Sequence, residues 1–380
     1  MSTARDLIAE VERFVEDTVV PQVHAWDRDD SLPDEAMARL VEIGLTGALV
    51  PAEYGGGGLG VAELVPAWRA LSHGWISLTG AVNPTGLATA LLMRHGTEEQ
   101  RRLWLPEIAA GKVLASFSIT EPQAGSDLGR IETSARPLGG SGLVLDGEKR
   151  WVAGGASSDV VFLLAEVAGS DRPSCVILPA YGRGSESWEV GDVDKVGYRG
   201  VESATYRFRR HESHEAQILG GEECVGEGAR QMLDSLDVGR VNVACRALGI
   251  IDRALACAVE ESATRAVGDG MLGDHTHAQL RIGGMLARRA AVESLVERTA
   301  RAVDARSGDA RDLATAAKVI ASDSAVWAVD RAARLAASRS YAANDELARL
   351  RRDAPQTQIG EGANDALLLA LARPALDPSR

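Results

Sequence analysis

Phe117-Ser-Ile-Thr-Glu-Pro-Gln-Ala-Gly-Ser-Asp127, with Gly147-Glu-Lys-Arg-Trp-Val-Ala-Gly-Gly155 after it, is the stretch that decides the fold. Thr120, Pro122 and Gly125 break the helical period, whereas the alternating Phe117 and Ile119 and the run Leu143-Val144-Leu145 read as strands. The spacing therefore predicts a turn between strands. A turn rich in Thr, Gly, Ser and Asp exposes backbone N–H groups and hydroxyls, which suit the polar edge of a ring or a pyrophosphate. Trp151 adds a flat apolar face close by.

On the N-terminal side the pattern is helical. Apolar residues recur at helical spacing from Ala4 to Ala25, again from Asp34, over Ala62 to Ala70 and over Leu87 to His95. Thr97-Glu-Glu-Gln100 predicts a capping box at the start of a further helix. Tyr54-Gly-Gly-Gly-Gly-Leu-Gly60 matches G-x-G-x-x-G literally but has neither a preceding strand nor an acid among residues 75–86, so it reads as a loop between helices. Residues 1–112 form an all-α domain on this reading.

From Val113 the segments shorten and alternate, as in Val160-Val-Phe-Leu-Leu-Ala165, Cys175-Val-Ile-Leu178 and Ala204-Thr-Tyr-Arg-Phe208. Residues 113–222 are predicted to be a small β-barrel or sandwich, with His211 and His214 in its last loop as solvated residues. Helical period then returns for residues 223–380. Val238–Ala263, Gln279–Ala302, Asp312–Ala337 and Asn364–Ala372 read as a four-helix bundle. The fold class is thus α+β multidomain, in the order α, β, α.

With 380 residues, 45% hydrophobic and 25% charged, the chain reads as an ordered globular protein. A net charge of -13 argues against a nucleic-acid partner. Cys175, Cys224, Cys245 and Cys257 show no C-x-x-C pairing and read as reduced thiols, with no metal expected. The first twenty residues carry acids among their apolar positions, unlike a signal peptide, and no membrane span is expected; the anticipated location is cytoplasmic.

Near the C-terminus stands Gln358-Ile-Gly-Glu-Gly-Ala363, directly before a predicted helix. A carboxylate between two glycines is little screened, and its N–H can approach a ligand closely at a helix start that favours developing negative charge.

Thr120-Glu-Pro-Gln-Ala-Gly-Ser-Asp127 followed by Gly147-Glu-Lys-Arg-Trp151 resembles the two marker segments of the acyl-CoA dehydrogenase family, and the likeness extends over essentially the whole chain. The resemblance implies FAD as cofactor and oxidation of a small acyl thioester, carried by CoA or by an acyl carrier protein. It makes Glu361 the general base that removes the α proton, while hydride passes to flavin N5; the Glu361 N–H and a flavin hydroxyl would hold the thioester oxygen. Related enzymes that carry the base before an arginine on the first bundle helix have their counterpart here in Gly239 before Arg240, so that alternative is absent.

By position, Phe117, Ile119, Thr120, Gly125, Ser126, Trp151 and Ala153 would meet FAD, and Arg265 and Gln279 would reach FAD held mainly by another subunit. Ser126, Arg240, Gly360 and Gly362 would lie nearest the substrate. Several positions depart from the family pattern. Ala153 replaces a common Thr, the Phe of Arg-x-x-Phe-Gly is missing at Arg265-Ala-Val-Gly-Asp269, and a Gly-rich loop appears as Ala337-Ser-Arg-Ser-Tyr341, where Arg339 could pair with phosphate. Gly360, in place of a bulky residue, should reshape the acyl pocket. The altered loop and Leu272-Gly-Asp-His275 resemble the branch found in polyketide and peptide antibiotic pathways. Implied partners are an electron-transfer flavoprotein or other acceptor and further copies of the chain, as homodimer or homotetramer. The alternatives on the same fold are oxidation of a carrier-bound hydroxyacyl group, a flavin monooxygenase, which has no use for Glu361, and a non-catalytic scaffold.

Overall fold

The computed structural model describes residues 4–138 and 142–376. α1 (Ala4–Phe14) passes through one π-helical turn, Val15–Val19, into α2 (Val20–Arg28), and α3 (Asp34–Glu42), α4 (Val61–Gly74), α5 (Ile76–His95) and α6 (Glu98–Ala109) follow. Thr97 and Gln100 form the expected capping box, with reciprocal bonds of 3.1 and 3.2 Å. The glycine-rich segment leads into α4, whose first N–H groups are capped by a carboxylate of the chain itself: Asp304 accepts from Val61 at 2.7 Å and from Ala62 at 2.9 Å. No dinucleotide cradle is formed there.

α5 is twice the helix that the sequence pattern predicts. It is buried along most of its length, so the polar face that makes a helix legible is missing, and Pro84 sits inside it. By length and composition it could cross a membrane, but most of that window is buried within the fold.

The middle of the chain supplies β1 (Ala115–Ser118), β2 (Ser134–Pro137), β3 (Leu143–Ala153), β4 (Val160–Val167), β5 (Ser174–Pro179), β6 (Trp188–Asp192), β7 (Ser203–Ser213) and β8 (Gln217–Ile218). The order is β6-β7-β3-β2-β4-β5-β8, with β1 also on β4; β1 and β2 run parallel to β4 and the other pairs are antiparallel. β4 shows why its sequence is a continuous apolar run. Val161, Leu163 and Ala165 join Trp188, Tyr206 and Phe208 inside the sheet, whereas Val160, Phe162 and Leu164 pack on Leu91, Leu92 and Ile108 of α5 and α6. His211, expected in a solvated loop, lies in β7 instead. It is buried, with Nδ1 3.1 Å from the Ser187 hydroxyl and its ring 5.1 Å from that of Trp188.

The C-terminal helices are α7 (Gly228–Thr264), α8 (Thr276–Asp304), α9 (Ala310–Ala336), α10 (Glu346–Ile359) and α11 (Asn364–Leu376), with a short hairpin of β9 (Ala266–Val267) and β10 (Gly270–Met271) after α7. The fourth bundle helix is α10, not the predicted Asn364–Ala372 segment. α10 escapes a period-based reading because it is rich in charge: buried Arg349 pairs with Glu346 at 2.6 Å and Asp353 at 3.2 Å. α11 rests on α9 through buried Leu367, and Leu368, Leu369 and Leu376 are exposed. α7, α9 and α10 share one apolar cluster with α1, α4 and α5, so the two helical regions flank the sheet and meet each other.

Candidate active site

Glu361 stands in the linker between α10 and α11, in left-handed backbone conformation at φ 55°. That region is unfavourable for a residue with a side chain, and its occupation here marks a loop held by its surroundings. Asn83 Nδ2 of α5 donates to Glu361 Oε1 at 2.8 Å, and Arg240 Nε of α7 donates to the Glu361 carbonyl at 3.4 Å. Lys318 of α9, fully buried, donates from Nζ to Gln358 O at 2.9 Å, Gly362 O at 2.6 Å and Asn364 Oδ1 at 2.7 Å. Burial lowers this ammonium to a pKa of about 8, against the opposing pull of Glu361.

Gly239 explains why the carboxylate fits against α7. A Cβ there would meet Glu361 Cδ at 2.9 Å, Oε2 at 3.1 Å and Leu87 Cδ2 at 3.0 Å. One carboxylate oxygen is thus occupied by Asn83, and the other faces the space left by an absent side chain. Gly360 caps the end of α10, and Gly362, at φ 104°, presents its carbonyl to Lys318. Arg240, expected at the substrate, is buried and engaged with Glu361 O, Thr315 Oγ1 at 3.2 Å and Asp237 at 3.6 Å; it braces the loop.

The second half of the site is the turn after β1. Its anchor is a buried ion pair, Lys149 Nζ to Glu121 Oε1 at 2.7 Å, and Glu121 also accepts from the N–H groups of Glu132 at 2.8 Å and Thr133 at 3.0 Å. Burial would raise the Glu121 carboxyl, but the Lys149 charge and these bonds outweigh it and hold it below its ordinary value. Burial also brings Lys149 down to about 8 in spite of Glu121.

A bulge between Lys149 and Val152 takes Arg150 out of the β3–β7 ladder, and its N–H bonds Thr120 O at 2.8 Å instead. The same bulge puts Trp151 at φ 61° and leaves it 57% exposed. Gly125 and Ser126 are exposed, and a Cβ on Gly125 would meet nothing within 4 Å. Ser118 Oγ, beneath the turn, is buried without a hydrogen-bond partner. An open polar turn, an orphaned hydroxyl and a bare aromatic face form a surface that a flavin fits.

α5 joins the two halves. Asn83 holds Glu361, and Thr85 Oγ1 accepts from Ala115 N of β1 at 3.3 Å. Phe117 and Ala153 pack against the cluster that contains Leu87 and Val238. The other predicted cofactor contacts lie elsewhere. Arg265 bonds Leu335 O at 3.1 Å and lies 3.6 Å from Glu261, to which Arg339 pairs at 2.7 Å, and Gln279 bonds Gly273 O at 3.0 Å. Arg265 is about 39 Å along α7 from Gly239, so this group and Glu361 of one protomer do not share a site.

Asn83 and Lys318 are missed by the sequence reading. Lys318 leaves a signal, a lone lysine in register with Ala314, Ala317, Ala321 and Ala325 on the buried face of an alanine-rich helix. Asn83 leaves none in a helix that carries no charged residue before Arg94. Among the described residues no three His, Cys, Asp or Glu side chains converge as a metal requires.

Joining a carboxylate loop to a hydroxyl-bearing turn through one buried helix is the design of a flavin-dependent thioester oxidoreductase, and the comparisons agree. Family models for the acyl-CoA dehydrogenase N-terminal, middle and C-terminal domains match residues 2–112, 116–211 and 226–376. The chain belongs to the acyl-CoA dehydrogenase family; it is an enzyme of that family, acts on acyl thioesters, and has FAD as its cofactor.

It is similar to (2S)-methylsuccinyl-CoA dehydrogenase of Cereibacter sphaeroides, at 30% identity over 96% of this chain and 68% of that one. Its fold matches butyryl-CoA dehydrogenase of Megasphaera elsdenii with a TM-score of 0.91 and 26% identity, over 99% of this chain and 98% of that one. FkbI, from biosynthesis of the methoxymalonyl extender unit of a polyketide immunosuppressant, matches with a TM-score of 0.86 and 28% identity, over 96% and 99%.

Proposed function

We propose that the protein desaturates the Cα–Cβ bond of a short acyl thioester, with Glu361 as the base. The observation that carries this reading is the setting of Glu361: Oε1 is fixed by Asn83, while Oε2 is turned toward the gap at Gly239. A base must be held within reach of its proton before its pKa matters. Asn83 and Lys318 supply that hold, and the Glu361 N–H donates to the thioester carbonyl as enolate character develops. FAD, seated by Phe117, Ile119, Thr120, Gly125, Ser126, Trp151 and Ala153, supplies the hydride acceptor that no side chain can be.

The substrate is tethered to CoA or to a carrier protein; the similarity to (2S)-methylsuccinyl-CoA dehydrogenase supports the first. An electron-transferring flavoprotein is the proposed acceptor, supported by a chain 27% identical to this one in the structure of the electron-transferring flavoprotein of Acidaminococcus fermentans. The chain acts as a homodimer or homotetramer. In support, Arg265, Gln279 and Arg339 stand too far from Glu361 to serve its own site, and Leu280 and Leu286 on α8 are exposed with the leucines of α11.

The test is anaerobic addition of CoA-bound and carrier-bound acyl thioesters to the FAD-loaded protein. Bleaching of the yellow form that disappears in Glu361→Gln supports the proposal; reduction by NAD(P)H alone, with Glu361 dispensable, overturns it in favour of a monooxygenase. Light scattering of the same sample tests the oligomer, and a monomer that turns over at full rate overturns that part.

A further inference from the structure

α7 turns one stripe of residues toward α5. Gly239 faces the Glu361 carboxylate, and Asn242 and Arg246 follow three and seven residues on, along the same face. Arg246 is only 2% exposed. Its Nε donates to Asn242 Oδ1 at 2.8 Å, one terminal nitrogen donates to the Tyr198 hydroxyl at 3.0 Å, and the guanidinium lies 5.5 Å from the Tyr198 ring centre. No carboxylate of the described residues pairs with it. Arg349, just as deeply buried, has two. A buried cation without a counter-charge is costly to keep.

The neighbours add further donors, and the carboxylates close to Tyr198 are already engaged: Asp353 accepts from the Tyr198 N–H at 2.8 Å and pairs with Arg349 at 3.2 Å, and Glu361 Oε1 is bonded by Asn83. Asn242 Nδ2 is buried with no partner. The Tyr198 hydroxyl accepts from Arg246, which leaves its proton for another acceptor, and burial raises the phenol so that it stays protonated. The place of the cluster follows from Gly80, where a Cβ would come within 1.8 Å of the Tyr198 oxygen. Gly80 is one turn before Asn83, the residue that holds the base. The cluster therefore lies about one turn of α5, about 5 Å, beyond the residue that holds Glu361, a distance of a few carbon atoms along an acyl chain.

We infer that Arg246, Tyr198 and Asn242 bind a carboxylate at the far end of the acyl group, so that the substrate is the monothioester of a short dicarboxylic acid. This rests on the proposed thioester oxidation. The bound carboxylate takes no part in bond making: the α proton goes to Glu361, the β hydride goes to FAD, and the distal group leaves unchanged. An aliphatic acyl group would bury the same donors without an acceptor, which a polar site rejects strongly.

The experiment follows anaerobic flavin bleaching of the FAD-loaded full chain by glutaryl, methylsuccinyl, butyryl and 3-hydroxybutyryl thioesters, each on CoA and on pantetheine. A diacid thioester should exceed butyryl by about 10²-fold or more in kcat/KM on at least one carrier, and Arg246→Met should remove that preference. Tyr198→Phe, which keeps ring and shape, should lower the ratio of diacid to butyryl kcat/KM several-fold; it decides the matter if Arg246→Met does not fold. Butyryl equal to the diacids in the wild type would overturn carboxylate recognition and leave thioester oxidation standing. Preference for the hydroxyacyl thioester would also overturn it. Bleaching by no thioester at all would overturn both readings.

Discussion

Glu361 is held by Asn83, Arg240 and Lys318, all buried and all from the same chain, whereas Arg265 and Arg339 meet around Glu261 at the far end of α7 with half-exposed side chains. The first group is a finished device. Asn83 already fixes Oε1 and Lys318 already holds the loop before any ligand arrives, so the base is oriented in advance and loses little freedom when substrate binds. The second group is different: two half-exposed cations share one carboxylate. On the proposed function, chemistry is prepared inside the protomer and cofactor retention is left to the surface.

The sharpest break of this contrast is Glu361→Gln, which should lower thioester-driven flavin reduction about 10³-fold while FAD content stays unchanged. A variant still active within about tenfold would show that the prepared end is not where proton abstraction occurs. Gly239→Ala comes next. Its new Cβ must displace the Glu361 carboxylate or Leu87, and rapid reduction kinetics should show a loss of about 10²-fold with the melting temperature little changed. A wild-type rate would mean that Oε2 does not work from that position.

Lys318 sharpens the comparison through pH. Its pKa lies at about 8 in the fold against an ordinary 10.5, so above pH 8 it becomes an amine with two hydrogens for three acceptors. Activity should fall several-fold as pH rises through 8, and Lys318→Arg, which keeps its charge, should lose that limb. Stability should move the other way. Between about pH 8 and 10.5 the unfolded chain binds more protons at this residue, so the group's contribution to stability rises with pH. Parallel losses of activity and melting temperature would refute the assignment. The smallest effect belongs to Arg339→Ala, expected to weaken FAD retention only a few-fold on dilution, without changing the reduction rate of loaded enzyme. A large loss of reduction rate would place Arg339 in the chemical site.

Thr120 to Asp127 was legible as a turn between strands because period, Pro and Gly act within a few residues of one another. The helical ends of the chain were legible for the same reason. α10 was not, since its stability comes from Arg349 between Glu346 and Asp353 in place of an apolar stripe, and the first half of α5 was hidden by being buried on all sides.

The sequence by itself determined the order of helices and strands, the polar turn and the glycine-flanked carboxylate, all of which are local choices of backbone and side chain. Only the tertiary structure decided that Gly239 makes room for Glu361, that Asn83 and Lys318 hold it, and that Arg246 lies buried without a counter-ion. Those facts depend on which faces of α5, α7 and α9 meet, and side chains far apart in sequence acquire a joint chemistry only when packing removes the water between them.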